Sequence, residues 1–249
     1  MYLEYIIYIV GSILILPAIL FAMWAQFRVM GTFRRYSEIP AQDGISAAAL
    51  ARRMLDQNGC SHVTVERTRG TLSDHYDSRK KAVRLSDTVH DSCSLAALGV
   101  AAHEVGHAIQ DHTGYFPLRL RQIVVKSTSL INKILMPLII IGLIGSLFAG
   151  GLMILGMDGD TFFLYLMLAF CVMYGLSFVV NLITLPTEYN ASNRAKALLN
   201  QGNYLMGDEE RGAVARVLNA AALTYVAALV VSLAFFLRFL GLVLMSRRR

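Results

Sequence analysis

Charge is scarce in this sequence. Of its 249 residues, 16% are charged and 55% are hydrophobic, whereas soluble domains average about 25% charged and about 45–50% apolar. The shortage argues against an ordinary soluble enzyme. The apolar excess excludes a disordered chain, which needs low hydrophobicity and high net charge. Cysteine is also rare: Cys60, Cys93 and Cys171 are too few and too scattered for a disulfide scaffold, and they suit a reducing compartment. Five prolines without a Gly-X-Y period exclude a collagen-like chain. No glycine-rich phosphate loop follows a strand, and no serine or cysteine stands in a recognisable nucleophile motif. Acidic residues number 17 against 23 basic ones, for a net charge of +6. In so apolar a chain that excess faces anionic lipid headgroups rather than nucleic acid.

The apolar residues are gathered into long runs. The first spans Tyr2 to Gln26 with only Glu4 charged, and ends at Trp24 and Arg28. It has no basic residues before it and no small-residue cleavage signal after it, so it reads as a retained anchor rather than a signal peptide. The second, Ile134 to Met157, carries no charge, and the third runs uncharged from Thr161 to Glu188. The fourth lies between Arg216 and Arg238 and continues to Met245. About 20 apolar residues cross a bilayer as a helix, so four transmembrane helices are expected. Pro17 and Pro137 are tolerable inside such helices, and Gly142, Gly145, Gly150 and Gly151 suit close helix packing. The expected organisation is a membrane helix at 1–28, a polar region at 29–130, a transmembrane hairpin at 131–186, a polar helical segment at 187–219, and a last helix with a basic tail at 220–249.

The region 29–130 holds all six histidines and most of the charge. Ser46 and Gly59 frame a helix over Ala47–Asn58, by N-cap and C-terminal glycine signals. Val63–Glu66 and Ala82–Leu85 read as short strands joined by a Gly/Ser/Asp-rich connection. Leu95–Asp111 reads as a helix capped by Ser94 or Ser92. Glu188–Leu199 is also expected to be helical, with Pro186 suited to its start.

The helix over 95–111 contains His103-Glu104-Val105-Gly106-His107. Histidines four apart share a face, about 6 Å apart along the axis, a spacing that lets both imidazoles bind one tetrahedral zinc. Glu104, one step round the helix, is placed to take a proton from water activated by the metal and to pass it to a leaving amine. A third protein ligand is then needed. The metzincin extension requires glycine and histidine where Gln110 and Thr113 stand, so it is excluded. His112 points to another side of the helix and reads as a surface histidine. The remaining route is a glutamate from a second helix, and Glu188, a lone carboxylate after a membrane run, is the leading candidate. Its alternative role is an acid at a helix start, favoured by the macrodipole. Glu188 follows His107 by 81 residues with two apolar runs between them. Two crossings return the chain to the same face, as a shared metal requires, and Met157–Asp160 would turn the hairpin on the other.

These segments resemble the YugP-type membrane zinc metallopeptidases, a bacterial neutral zinc protease family, over nearly the whole chain. The resemblance rests on Leu72-Ser73-Asp74-His75-Tyr76-Asp77, on Ala96 through Gln110, on Leu185-Pro186-Thr187-Glu188-Tyr189-Asn190-Ala191-Ser192, and on Ala220 through Val226. Glu188 through Ala195 is also similar to the third-ligand helix of the broader membrane gluzincins, with Ser192 where those proteins carry an aspartate. A serine cannot bind a ligand histidine as a charged acceptor, so the outer-shell support of that histidine comes from elsewhere or is weaker. The resemblance implies an α-helical integral membrane protein of about four transmembrane helices, with a small α+β zincin-like domain between the first and second. It implies one Zn²⁺ per chain and protein or peptide substrates, with no defined target.

His75 and Tyr76 are candidate donors to an oxyanion; their other reading is local hydrogen bonding in a turn or strand. Asp74 and Asp77 read as turn residues. Arg194 either faces the oxyanion or pairs with a carboxylate, the second being the better reading. The Ala82–Leu85 strand either accepts a peptide as an added strand or is an ordinary paired strand. Arg28 to Lys126 carry 14 of the 23 basic residues, which places the zinc site on the cytoplasmic side of a multi-pass plasma-membrane protein. Four crossings then put Arg247–Arg249 outside, against that rule: either the last run does not fully cross or the tail is a local exception. Three functions compete. The first is a membrane zinc endopeptidase cutting membrane or membrane-proximal proteins. The second is a zinc-binding scaffold for a partner membrane protein, which has no need of Glu104. The third is a small transporter, which the lack of paired ionisable residues in mid-span disfavours.

Overall fold

A computed structural model describes residues 2–147 and 159–246. Most of the Met157–Asp160 turn, Gly150, Gly151 and the Arg247–Arg249 tail lie outside the described residues. In chain order the elements are α1 (Tyr2–Ser37), α2 (Ala47–Gln57), β1 (Thr64–Thr68), β2 (His75–Asp77), β3 (Ala82–Ser86), α3 (Leu95–His112), α4 (Phe116–Leu147), α5 (Gly159–Gln201) and α6 (Gly207–Ser246). Among the described residues, four helices are long and apolar enough to cross a membrane: Tyr2–Ser37, Phe116–Ile141, Thr161–Gln201 and Gly207–Ser246. The second begins earlier than the uncharged run starting at Ile134, because α4 enters its span through the half-polar stretch from Phe116. The chain is thus an α-helical protein with four candidate spans and a small three-stranded sheet between the first two.

One compact unit comprises residues 1–23, 120–183 and 226–249. In it, α1 and α6 run antiparallel with their backbones nearly touching. A Cβ placed on Gly241 would lie 2.6 Å from the Tyr8 nitrogen, and one on Gly11 would strike the backbone at Arg238. Glycines let membrane helices approach this closely. The N-terminal end of α1 therefore lies beside the C-terminal end of α6. Between α5 and α6, Tyr174 stacks on Phe235 with centroids 4.7 Å apart, and Asn181 Nδ2 donates to Ser232 Oγ at 3.1 Å. Within a bilayer such polar contacts tie helices together.

The other unit comprises residues 24–119 and 184–225. Here α2 is amphipathic and buries Ala47, Leu50, Ala51, Met54 and Leu55; the Ser46 hydroxyl caps it by accepting from the Ala49 N–H. Ser94 caps α3 in the same way through the Ala97 N–H. The α3 helix is buried on most of its surface, which its run of Ala96, Ala97, Gly99, Ala101, Ala102, Gly106 and Ala108 permits. The sheet has the order β1-β3-β2, with β1 parallel and β2 antiparallel to β3. The expected connection between two strands therefore contains a third, β2, too short and too polar to show alternation. β3 is the central strand, paired on both sides, so the Ala82–Leu85 edge accepts no added peptide.

The largest departure from expectation concerns Pro186. It starts no helix: α5 continues through it from Gly159 to Gln201. A neighbouring helix or a local adjustment re-satisfies the backbone at such a proline. Glu188 consequently lies deep inside a helix, and the reading of it as a helix-start acid falls.

Candidate metal centre

Two helices build the site. α3 presents His103 and His107 one turn apart, their rings perpendicular with centroids 4.7 Å apart. α5 brings Glu188 against them. Glu188 Oε2 lies 3.2 Å from His103 Nε2 and 3.5 Å from His107 Nε2. The three ligand atoms all fall within 4.8 Å of one another. Glu188 is only 1% exposed.

The approach of α3 to α5 depends on Gly106. A Cβ there would sit 2.7 Å from the carbonyl oxygen of Ala191, a backbone atom that no rotamer change can move aside. Gly106→Ala is expected to destabilise the protein by about 1–3 kcal/mol, the usual cost of overpacking. It should also weaken the binding of a metal at this group by forcing Glu188 away from the histidines. Denaturant unfolding of the detergent-solubilised protein and chelator competition measure the two effects; wild-type values for both would contradict the contact.

A buried network fixes the second histidine. Gln110 is fully buried, and its Nε2 donates to the Thr187 carbonyl at 2.8 Å and to Asn190 Oδ1 at 3.0 Å. Because a carbonyl can only accept, the amide orientation is determined, and Oε1 faces His107 Nδ1 at 2.9 Å. His107 must therefore donate from Nδ1. In the neutral ring, Nε2 is then a bare lone pair facing the Glu188 carboxylate. Acceptor against acceptor at 3.5 Å calls for a cation between them or a proton on the ring. A metal suits this arrangement. Tetrahedral bonds of about 2.0–2.1 Å place ligand atoms about 3.3 Å apart, and the observed separations are 3.2 and 3.5 Å. Two imidazoles and one carboxylate are a zinc donor set that leaves one position open.

Ser192 Oγ lies 3.2 Å from His103 Nδ1. Glu104 is buried, and burial pushes its carboxyl up to about 7; the neighbouring His103 opposes the rise, Glu188 and Asp74 add to it, and the Tyr76 backbone N–H opposes it. That N–H places the β2 backbone beside Glu104. The remaining candidates have other partners. The exposed His75 ring contacts the Ser73 carbonyl at 2.8 Å. Tyr76 donates its hydroxyl to Asp111 at 2.7 Å; burial and that bond hold the phenol well above its ordinary range. Arg194 Nε donates to Asn190 at 2.8 Å. Asp77 caps a turn through the Arg79 and Lys80 N–H groups, whereas Asp74 ties its loop to Ser86 on β3. His112 is exposed, its ring 5.8 Å from that of His62.

Gln110, Asn190 and Gly106 were not among the residues expected from sequence. Gln110 had a signal: it lies three residues beyond His107 and so shares its helix face. Asn190 and Gly106 act through contacts between helices remote in sequence, which local spacing does not reveal.

Two comparisons with known proteins bear on the family of the chain. The family described as "putative neutral zinc metallopeptidase" matches residues 11–244. The chain is 42% identical over 236 residues to "Putative membrane protease YugP" of Bacillus subtilis (strain 168), covering 94% of this chain and 96% of that one. No solved structure matches.

Proposed function

The chain belongs to this neutral zinc metallopeptidase family, and from that premise we propose that it is a membrane-embedded zinc endopeptidase acting on membrane or membrane-proximal proteins. The observation that carries the reading is the convergence of His103, His107 and Glu188 beside a buried Glu104. One zinc per chain would be held by the two Nε2 atoms and the Glu188 carboxylate. When bound, it supplies Lewis acidity, which polarises a carbonyl and lowers the pKa of water to about 7. Glu104, which is not a ligand in this scheme, takes the proton of the attacking water and delivers it to the amide nitrogen as the C–N bond breaks. Gln110 and Ser192 keep the imidazoles oriented, a role that typically affects metal affinity about 10–100-fold. His75, Tyr76 and Arg194 remain candidate contacts to substrate or transition state, although their side chains already have partners.

Purified full-length protein in detergent should contain about one zinc and cleave an unstructured protein such as casein. Dialysis against a chelator should abolish cleavage, and added zinc should restore it. Cleavage that persists without zinc would refute the reading.

The site is proposed to face the cytoplasm of a multi-pass plasma-membrane protein. Gly70 and Asn200 belong to the same compact unit, so single cysteines at both should label from one side and a cysteine at Gly159 from the other. Labelling of Gly70 and Asn200 from opposite sides would rule out the shared zinc. α6 is long enough to cross a membrane, and its C-terminal end lies beside the N-terminal end of α1.

A further inference from the structure

In the unit formed by residues 24–119 and 184–225, several cations pair with carboxylates. Arg52 binds Asp56, Arg67 binds Asp87 and Asp91, Arg84 binds Glu66 and Asp77, and Lys81 binds Asp111. Three arginines are held differently. The Arg28 guanidinium carbon lies 5.1 Å from the Trp24 ring centroid, and that of Arg35 lies 5.7 Å from the Tyr36 ring. Arg216 Nη1 donates to the Tyr36 hydroxyl at 2.9 Å. Aromatic faces and a phenol oxygen orient a guanidinium without cancelling its charge.

All three line one cavity of about 480 Å³, to which Thr32 and Asn219 add neutral donors and no acidic residue contributes. Ligand sites run to about 300–1,000 Å³. The cavity's level along the chain is informative. Arg28 lies one helical turn past Trp24, where the first apolar run ends, and Arg216 lies four residues before Ala220, where the last begins. Both helices thus place their cations where apolar sequence gives way to polar, the depth of lipid phosphates.

We propose that this cavity binds the phosphodiester headgroup of an acidic phospholipid, with Arg28, Arg35 and Arg216 on the phosphate and Thr32 and Asn219 on its ester or glycerol oxygens. Arginines serving only to set topology need neither a shared cavity nor ordering by neutral partners. The inference is independent of the zinc site.

Native mass spectrometry of the full-length protein, released from micelles containing equal phosphatidylglycerol and phosphatidylcholine, tests it. Wild type should retain phosphatidylglycerol selectively. Each basic residue near an anionic surface contributes about a fivefold factor, so Arg35→Gln/Arg216→Gln should lower that selectivity about 25-fold. Arg119→Gln/Lys126→Gln, which removes two membrane-end cations outside the cavity, should change it little. Gly31→Leu keeps every charge but fills the cavity: a Cβ there meets nothing within 4 Å, and leucine suits a helix better than glycine. It too should lose selectivity while remaining folded. Equal retention of both lipids by wild type, equal loss in the control variant, or undiminished selectivity in Gly31→Leu would overturn the proposal. So would thermal stabilisation by inorganic phosphate or glycerol phosphate as large as that by phosphatidylglycerol, since it would assign the cavity to a soluble anion.

Discussion

Glu104→Gln is expected to lower peptide hydrolysis by at least about 10²–10⁴-fold, the usual contribution of a general acid–base group, with zinc content and unfolding midpoint nearly unchanged. The substitution preserves shape and hydrogen bonding but leaves no group able to accept a proton from water. The loss should reach or exceed the upper end of that range, because in the proposed scheme the same carboxylate acts twice, on water and on the leaving nitrogen. The variant should trap substrate, allowing its target to be identified by co-purification. Full complementation of a deletion strain by Glu104→Gln would transfer the function to a zinc-binding scaffold, which needs the metal and not the base.

Removing Glu188 should have the largest effect on the metal. Glu188→Ala takes away one of the three proposed protein donors and the carboxylate among them, so zinc affinity should fall well beyond the about 10–100-fold that loss of an outer-shell partner costs. Glu188→Gln separates charge from shape: it keeps an oxygen in nearly the same place, and zinc binding should still fall because the neutralising charge is gone. Elemental analysis and chelator competition read both variants without relying on activity. Stoichiometric zinc at unchanged affinity in Glu188→Ala would move the third ligand elsewhere and leave the pairing of Glu188 with His103 and His107 as a structural contact.

The sequence by itself determined the elements whose signal is local. Long uncharged runs specified four candidate spans, because a helix in hydrocarbon must carry its own apolar surface. Ser46 and Ser94 marked two helix starts, and the four-residue spacing of His103 and His107 put both rings on one face. Even the pairing of Glu188 with that face was accessible, from counting the crossings between them. Tertiary structure decided what depends on residues distant in the chain. Pro186 looked like a boundary, yet packing carries α5 through it, and this moves Glu188 from a helix end to a helix interior. β2 became a strand through its partner β3 rather than through its own three residues. Gly106 is required by the Ala191 backbone, and the tautomer of His107 follows from Gln110, whose orientation Thr187 sets from another helix. Periodicity records which way a side chain faces, whereas close approach and hydrogen-bond direction exist only once the opposing helix is in place.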